Sequence, residues 1–206
     1  MPTIFNLCII SHSFLYCKET EDFIYYKLTM IEREIKYQVE DFDPYRKQLL
    51  RQGAKSQSSF FEDNIVFDDE GESLKREEKL LRLRKSDTVT ITFKKPVDRT
   101  RFKIMEEYEI EVSDFEEAKK IITSLGFRKV FRYQKRREVF ILHDTHILLD
   151  ETPIGNYIEI EGTEEHILEL SKGLGLESEQ GSSKNYMELY REYCVKKNLT
   201  PTEMLF

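Results

Sequence analysis

Charged side chains alternate with apolar ones along five segments of the chain. The alternating sets are Glu32, Glu34 and Lys36; Arg82 and Arg84; Lys103, Glu107, Glu109 and Glu111; Lys135 and Arg137; and Glu159 and Glu161, with Lys94 and Asp150 as single members at strand ends. Neighbouring side chains of a β-strand point to opposite faces, so each set occupies one face of its strand. One charged row is ordinarily a solvated face of an antiparallel sheet. Because such rows recur on nearly every predicted strand, we expect them to line a shared polar cavity.

A cavity that carries both signs of charge suits one kind of ligand. Lysine and arginine neutralise phosphate oxygens, and carboxylates hold Mg²⁺ or Mn²⁺, which bridges those oxygens. Carboxylates alone would suit a metal ion, and cations alone would suit an anion. The combination therefore predicts a site for a metal–polyphosphate complex.

The surrounding pattern predicts the elements that position these rows. The predicted strands are 31–39, 57–67, 79–86, 87–95, 102–112, 129–142, 145–151 and 156–162, and the predicted helices are 43–53, 113–126, 163–173 and 183–197. Two of the helices carry start and stop signals: Asp43 and Pro44 open the first, which Gly53 ends, and a capping box from Ser113 opens the second. The pattern predicts an α+β fold, a closed eight-stranded antiparallel β-barrel with flanking helices and inward-facing charges. Residues 1–29 show no clean periodicity and are interpreted as an N-terminal extension.

Composition argues against several other classes of protein. The 206-residue chain has a net charge of −7, whereas general binders of nucleic acid or anionic membranes need a cationic surface. Its three cysteines have no CxxC spacing, which disfavours a disulfide framework or a structural zinc site. No apolar run reaches the length of a membrane span. We therefore interpret the chain as soluble and cytoplasmic, with no nucleic-acid or membrane partner.

The first charged strand contains the motif ExExK, at residues 32–36. By itself this motif is weak, but six further blocks follow in order: LRLR (81–84), TFKKP (92–96), EEYEIEV (106–112), KRRE (135–138), LDE (149–151) and GNYIEIE (155–161). With these blocks the chain resembles the CYTH domain family, the triphosphate tunnel metalloenzymes, from about Met30 to at least Gly162. The family includes class IV adenylate cyclases, thiamine triphosphatases and inorganic tripolyphosphatases. The group named for class IV adenylate cyclases is the most similar.

The resemblance implies a CYTH domain over residues 30–206, with a triphosphate tunnel over about 30–162 and C-terminal helices over about 163–198. By this resemblance, the phosphate-binding positions are Lys36, Arg82, Arg84, Lys94, Lys135 and Arg137. The metal-ligand candidates are Glu32, Glu34, Glu159 and Glu161. The candidates for catalysis and water positioning are Glu107, Glu109 and Asp150. Lys103 and Glu111 share a face with these residues and are expected nearer the rim. The implied cofactor is Mg²⁺ or Mn²⁺, and the implied partner is a small molecule carrying a triphosphate, ATP or tripolyphosphate.

Three departures from the family pattern leave the substrate open. Lys95 stands where the family often has glycine, Val66 where it often has an aromatic residue, and Tyr157 where phenylalanine is usual. None of them removes a charge from the tunnel. The leading expectation is conversion of ATP to cyclic AMP and pyrophosphate. Hydrolysis of tripolyphosphate or thiamine triphosphate, and a non-catalytic sensor of nucleotides or polyphosphate, are the alternatives. A homodimer also stays open.

Overall fold

Eight of the strands pair in a ring in the computed structural model, which describes residues 8–9, 14–16, 26–27, 30–99 and 101–206. The ring strands are β4 (Met30–Val39), β5 (Lys55–Asp68), β6 (Leu80–Lys85), β7 (Val89–Arg99), β8 (Lys103–Val112), β9 (Arg128–Leu142), β10 (Thr145–Thr152) and β11 (Gly155–Glu161). Their order is β10-β11-β4-β8-β7-β6-β5-β9, and β9 pairs with β10 to close the circuit. Every pairing is antiparallel. The predicted eight-stranded antiparallel sheet is therefore confirmed.

The described segments before the ring form three short strands. They are β1 (Cys8–Ile9), β2 (Phe14–Tyr16) and β3 (Tyr26–Lys27), paired in the order β1-β2-β3. The other residues of the predicted N-terminal extension lie outside the described part of the chain.

In the part of the chain that the structure describes, five α-helices and one 3-10 helix flank the ring. They are α1 (Asp43–Arg51), α2 (Ser73–Arg76), α3 (Phe115–Ser124), α4 (Glu164–Gly173), the 3-10 helix Ser178–Gln180, and α5 (Tyr186–Lys197). Side-chain caps explain where three of them begin, because Asp114, Thr163 and Asn185 each accept a hydrogen bond from a backbone N–H of the first turn. The four predicted helices are confirmed, whereas the four-residue α2 was not predicted.

The apolar rows of the strands face outward, and helices cover them. Beneath α1 and α4, strand residues such as Ile35 and Ile158 pack with Leu49 and Ile167. A second cluster packs β5 and β6 against α3. Burial of these rows on the outside turns the charged rows into the ring, as the alternation predicted.

A third apolar cluster fills one end of the ring interior. Tyr133 and Tyr157 lie on the same strand faces as the charged rows and pack with Tyr186 of α5 and with Met204. The C-terminal segment is also bound to strand edges: Ser182 exchanges two backbone hydrogen bonds with Lys36, and Met204 bonds to β9 on either side of Tyr133. The segment that follows α4 therefore closes this end.

None of the helices in the described ranges is both long and apolar enough to cross a membrane.

Candidate functional site

Twelve of the thirteen residues predicted to bind substrate or metal or to act in catalysis line one cavity inside the ring, with a volume of about 200 Å³. This central cavity is lined by Glu32, Glu34, Lys36, Leu80, Arg82, Arg84, Lys94, Lys103, Glu107, Glu109, Tyr133, Lys135, Arg137, Glu159, Glu161, Asn185 and Tyr186. The exception is Asp150, which is fully buried behind the lining. Of the two residues expected near the rim, Lys103 lines the cavity and Glu111 is exposed. The cavity thus brings together side chains from six strands, β4, β6, β7, β8, β9 and β11.

The two signs of charge are separated around the ring. All six lining carboxylates lie on the adjacent strands β11, β4 and β8, which we call the acidic half. Five of the seven lining cations lie on β6, β7 and β9, within the run β7-β6-β5-β9, which we call the cationic half. The other two, Lys36 and Lys103, lie in the acidic half, and both contact Glu34. A ligand that spans the cavity would therefore meet carboxylates on one side and cations on the other.

Four carboxylates of the acidic half converge on one point. Glu32 and Glu34 on β4 face Glu159 and Glu161 on the neighbouring β11, and one oxygen from each lies within 4.8 Å of the others. Glu34 accepts hydrogen bonds from Lys36 at 2.7 Å and from Lys103 at 2.8 Å. These are the four predicted metal ligands, and the structure gathers all of them.

Glu161 is the member of this cluster that has no ion pair with any described residue. Its carboxylate has no hydrogen bond or ion pair with any residue that the structure describes, whereas Glu32, Glu34 and Glu159 each contact a lysine. Burial, together with the charges of Glu32 and Glu159, raises the pKa of Glu161 well above its ordinary value. A bound cation would relieve this repulsion, and four carboxylate oxygens form a donor set that hard divalent cations favour. The residues present therefore fit Mg²⁺ or Mn²⁺.

The cations of the site are held in place by carboxylates. The Lys36 Nζ lies 2.7 Å from Glu34 and 3.3 Å from Glu159, and the Lys94 Nζ contacts both Glu32 and Glu107. Burial alone would lower the pKa of Lys36, but the charges of Glu159 and Glu34 outweigh burial and raise it. These lysines therefore stay charged and present N–H groups to an anion at neutral pH.

Asp150 supports two cations of the site from behind. Its carboxylate accepts hydrogen bonds from Lys135 at 2.9 Å, from Arg137 at 2.7 and 2.6 Å, and from the hydroxyl of Tyr186 at 2.6 Å. Burial raises the pKa of a carboxyl, yet Arg137 and Lys135 outweigh it and lower the pKa of Asp150 to about 2. Asp150 therefore orients Lys135 and Arg137 and does not itself line the cavity.

Glu62 has a similar position and was not predicted. It is fully buried on β5, in the cationic half, with oxygens 3.5 Å from Lys135 and 3.6 Å from Arg84. Burial raises the pKa of Glu62, but Lys135 and Arg137 outweigh that effect and lower it. The alternation along 57–67 did not indicate that Glu62 faces inward, because Glu62 and Asp63 are adjacent acids and only one of them can do so.

Two aromatic residues of the cavity were also missed. Tyr133 lies in the same period-two row as Lys135 and Arg137, so the spacing of that strand could have identified it. Tyr186 comes from α5, and the Nζ atoms of Lys36 and Lys135 lie 5.5 and 5.1 Å from the centre of its ring. Those distances suit cation–π contacts. No pattern local to α5 indicates that this tyrosine enters the ring.

The fold and this lining define the class of protein. A family model described as "CYTH domain" matches residues 30–186. The chain therefore belongs to the CYTH domain family, as its charged motifs predicted.

Individual relatives agree with this membership. A protein from Methanocaldococcus jannaschii, provisionally named an adenylate cyclase, is 28% identical over 172 residues, which are 78% of this chain and 98% of that protein. The solved structure of PH1012 from Pyrococcus horikoshii OT3 is 28% identical with a TM-score of 0.67, over 77% of this chain and 98% of that one. HpAC1 from Hippeastrum shares the fold at 15% identity and a TM-score of 0.58, over 78% of this chain and 95% of that one. It carries the provisional name adenylyl cyclase and is described as having a dominant triphosphatase activity.

Proposed function

We propose that this protein is a metal-dependent enzyme that acts on the triphosphate chain of a nucleotide, converting ATP to cyclic AMP and pyrophosphate. The observation that carries the proposal is the division of the central cavity into an acidic half and a cationic half. Seven cationic and six acidic side chains line it, so its charge is nearly balanced. A bare anion would suit a uniformly cationic wall, whereas a metal–triphosphate complex suits this one.

The cationic half would bind the phosphate oxygens. Arg82, Arg84 and Arg137 present guanidinium groups that can grip two oxygens at once, and Lys94 and Lys135 present point charges. Lys36 would contribute from β4, across the cavity. Together these groups would hold the phosphate chain in one orientation and neutralise the charge that develops as a P–O bond breaks.

The acidic half would hold the divalent cation through Glu32, Glu34, Glu159 and Glu161. When bound, Mg²⁺ or Mn²⁺ would supply charge neutralisation at phosphate oxygens. Glu107 and Glu109 project from β8 into the same cavity, and Glu109 accepts hydrogen bonds from Arg84 at 3.0 Å and from Thr92 at 2.6 Å. We assign to these two carboxylates the orientation of the attacking hydroxyl. Asp150 would act as a positioning residue through Lys135 and Arg137.

In the proposed reaction the ribose 3′ oxygen bonds to the α-phosphorus, the 3′-hydroxyl proton passes to solvent water, and the bond from the α-phosphorus to the bridging oxygen breaks. Pyrophosphate leaves. The provisional name of the M. jannaschii relative supports this choice. The second candidate is hydrolysis of a triphosphate, with water attacking the terminal phosphorus and orthophosphate leaving. It is supported by the same cationic half, which would hold a phosphate chain whatever its organic group.

Product analysis tests the proposal. ATP labelled at the α-phosphate, tripolyphosphate and thiamine triphosphate would each be incubated with the protein and Mg²⁺ or Mn²⁺. We expect the label in cyclic AMP, released with one equivalent of pyrophosphate. Label recovered only in ADP, or orthophosphate released from tripolyphosphate while ATP stays intact, would replace the cyclase with the hydrolase. Tight metal-dependent binding without turnover would leave a sensor of nucleotides or polyphosphate.

A further inference from the structure

A further cavity lies on the outer face of the ring, between the end of α1, the turn that joins β9 to β10, and α4. It has a volume of about 370 Å³, within the roughly 300–1,000 Å³ of typical small-molecule sites. We call it the outer cavity. Its lining includes Gln52, His143, His166 and Glu169, and it shares no residue with the lining of the central cavity. The outer cavity is therefore separate from the site described above.

Two imidazoles meet in the outer cavity. His143 comes from the β9–β10 turn and His166 from the first turn of α4, and their ring centres lie 6.5 Å apart. Neither imidazole has a hydrogen bond or an ion pair with any residue that the structure describes, and the Nδ1 of His166 is buried without a partner. A buried nitrogen without a partner is unfavourable. The two histidines therefore have nitrogens available for a ligand.

The backbone at His143 is costly for this type of residue. His143 is the first of the two residues between Leu142 and Thr145, which pair in the β9–β10 hairpin, and its φ is +53°. Glycine takes this left-handed conformation without steric cost, whereas other residues seldom adopt it. Residues other than glycine that are held in this region cluster at functional sites. The presence of histidine at this turn therefore indicates that its side chain is used.

Glu169 supplies a third donor to the outer cavity. It lies three residues after His166 on the same side of α4, and its carboxylate has no hydrogen bond or ion pair with the residues described. Two imidazoles and one carboxylate are a protein ligand set of open Zn²⁺ sites. Imidazole suits Zn²⁺, Cu²⁺ and Ni²⁺, whereas the four glutamates of the ring suit Mg²⁺ or Mn²⁺. The two sites would therefore select different metals.

The spacing of the two rings is close to that of a shared ion. Zn–N bonds of about 2.0–2.1 Å place the centres of two ligating imidazoles about 5–6 Å apart, roughly 1 Å less than in this structure. His143, His166 and Glu169 do not converge on one point as the glutamates of the ring do. However, His143 and Glu169 are exposed, so both can turn towards His166 without displacing buried side chains. Binding would therefore draw the turn and α4 together.

We infer that the outer cavity binds a transition-metal ion of the Zn²⁺ class through His143, His166 and Glu169. This inference does not depend on the proposed triphosphate function. The ion would fasten the β9–β10 turn to α4, the helix that covers the apolar outer face of the ring. An ion that binds only the folded chain stabilises it. The outer site would therefore contribute to stability and not to chemistry inside the ring.

Titration of Zn²⁺ into the full-length protein, prepared without a polyhistidine tag and in an excess of Mg²⁺, tests the inference. We expect one Zn²⁺ to bind per chain by calorimetry and to raise the melting temperature. H143N, H166Q and E169Q should each weaken Zn²⁺ binding by at least about 10-fold, the smallest loss typical of even an outer-sphere partner. The two histidine changes should spare the fold, because asparagine tolerates the left-handed region and glutamine at position 166 can complete a capping box with Thr163.

H146Q is the matched control, because His146 lies three residues along the same hairpin and lines neither the outer nor the central cavity. It should keep the Zn²⁺ affinity of the wild type. Loss of Zn²⁺ binding in H146Q would place the ion elsewhere and overturn the inference. Wild-type affinity in H143N, H166Q or E169Q would overturn it too, as would complete displacement of Zn²⁺ by excess Mg²⁺.

Electron paramagnetic resonance of bound Cu²⁺ tests the same ligands in the wild type and depends on no variant folding. In excess Mg²⁺ we expect hyperfine coupling of the Cu²⁺ to two imidazole nitrogens. A spectrum without nitrogen coupling would show oxygen ligands only and would overturn the outer site.

Discussion

The hydroxyl of Tyr186 donates a 2.6 Å hydrogen bond to Asp150, and this contact joins helix α5 to the interior of the ring. The same carboxylate accepts hydrogen bonds from Lys135 and Arg137, so one buried group connects the C-terminal helix to two cations of the central cavity. The position of α5 is therefore coupled to the geometry of the site.

The first prediction concerns the stability that Asp150 confers. D150N removes the nearest carboxylate from Lys135 and Arg137 and leaves them the more distant Glu62 and Glu159, so we expect a loss of about 2–3 kcal/mol, the size that the pKa shift of Asp150 implies. Since the pKa of Asp150 is about 2 when folded and about 3.9 when unfolded, the wild type should lose this contribution as the pH falls from about 4 towards 2. Urea unfolding across that pH range should show that the free energy of unfolding of the wild type falls as the pH falls. D150N should lack this pH dependence.

The neighbouring residue provides the control for that experiment. Glu151 pairs with Arg136 on the outside of the ring, where both side chains are about half exposed. E151Q should change the free energy of unfolding little, because exposed pairs contribute little. A D150N protein as stable as E151Q would contradict the role given to Asp150.

A second prediction separates stability from metal binding at Glu161. In the absence of metal, E161Q should raise the melting temperature, because it removes a carboxylate that has no partner among the described residues and is repelled by Glu32 and Glu159. The same variant should weaken Mn²⁺ binding at least ~10–100-fold, the loss typical of even an outer-sphere partner. Calorimetric titration and thermal melts with EDTA measure both effects. The control E111Q, a change at an exposed residue of β8, should alter neither the melting temperature nor the Mn²⁺ affinity. An unchanged Mn²⁺ affinity in E161Q would remove Glu161 from the metal site.

The third prediction tests the cationic half with two adjacent residues. Arg84 points into the central cavity, whereas Lys85 is exposed on the opposite face of β6. R84Q should weaken tripolyphosphate binding by about 1.5–3 kcal/mol, the contribution of a hydrogen bond to a charged group. R84K should recover part of this, because lysine restores the charge without the planar fork. K85Q should have little effect; if it weakened binding as much as R84Q, binding would reflect net charge and not the geometry of the cavity.

A fourth prediction concerns the boundary of the domain. The family match begins at residue 30, and the eight ring strands pair with one another without β1–β3. We expect a chain that starts at Met30 to keep its kcat/KM and to melt within a few degrees of the full chain. Insolubility, or a large fall in melting temperature, would show that residues 1–29 cover the outer face near Ile31 and Ile110, which are 60% and 62% exposed.

Much of this architecture was predictable because alternation of charge along a segment indicates both a strand and the side chains that share one of its faces. In β4 the spacing of Glu32, Glu34 and Lys36 identified a strand and also the side chains that share one of its faces. The charged face lies inside the ring only because helices cover the opposite face. That step required the outward residues to be apolar, and Ile35 and Tyr37 met the requirement.

Glu62 and Tyr186 were missed because their positions depend on information that no local pattern contains. Glu62 and Asp63 have similar chemistry, but Asp63 pairs with Arg132 and is partly exposed while Glu62 is buried inside. A shift of one residue would exchange their roles, and the register is set by pairing with the distant β9. Tyr186 reaches the cavity because the segment after α4 folds back over the ring, which is a property of the whole chain.

The order of the strands in the ring also constrains how the protein folds during its synthesis. The first ring strand, β4, pairs with the last, β11, with Glu34 opposite Glu161. Hairpins such as β6–β7 and β9–β10 can form during translation, but the circuit cannot close until Glu161 has left the ribosome. Until then the growing chain displays unpaired strand edges that favour intermolecular pairing. Such long-range closure is intrinsically slow. Exit of β11 from the ribosome, more than any local hairpin, should therefore set the moment at which a nascent chain is safe from aggregation.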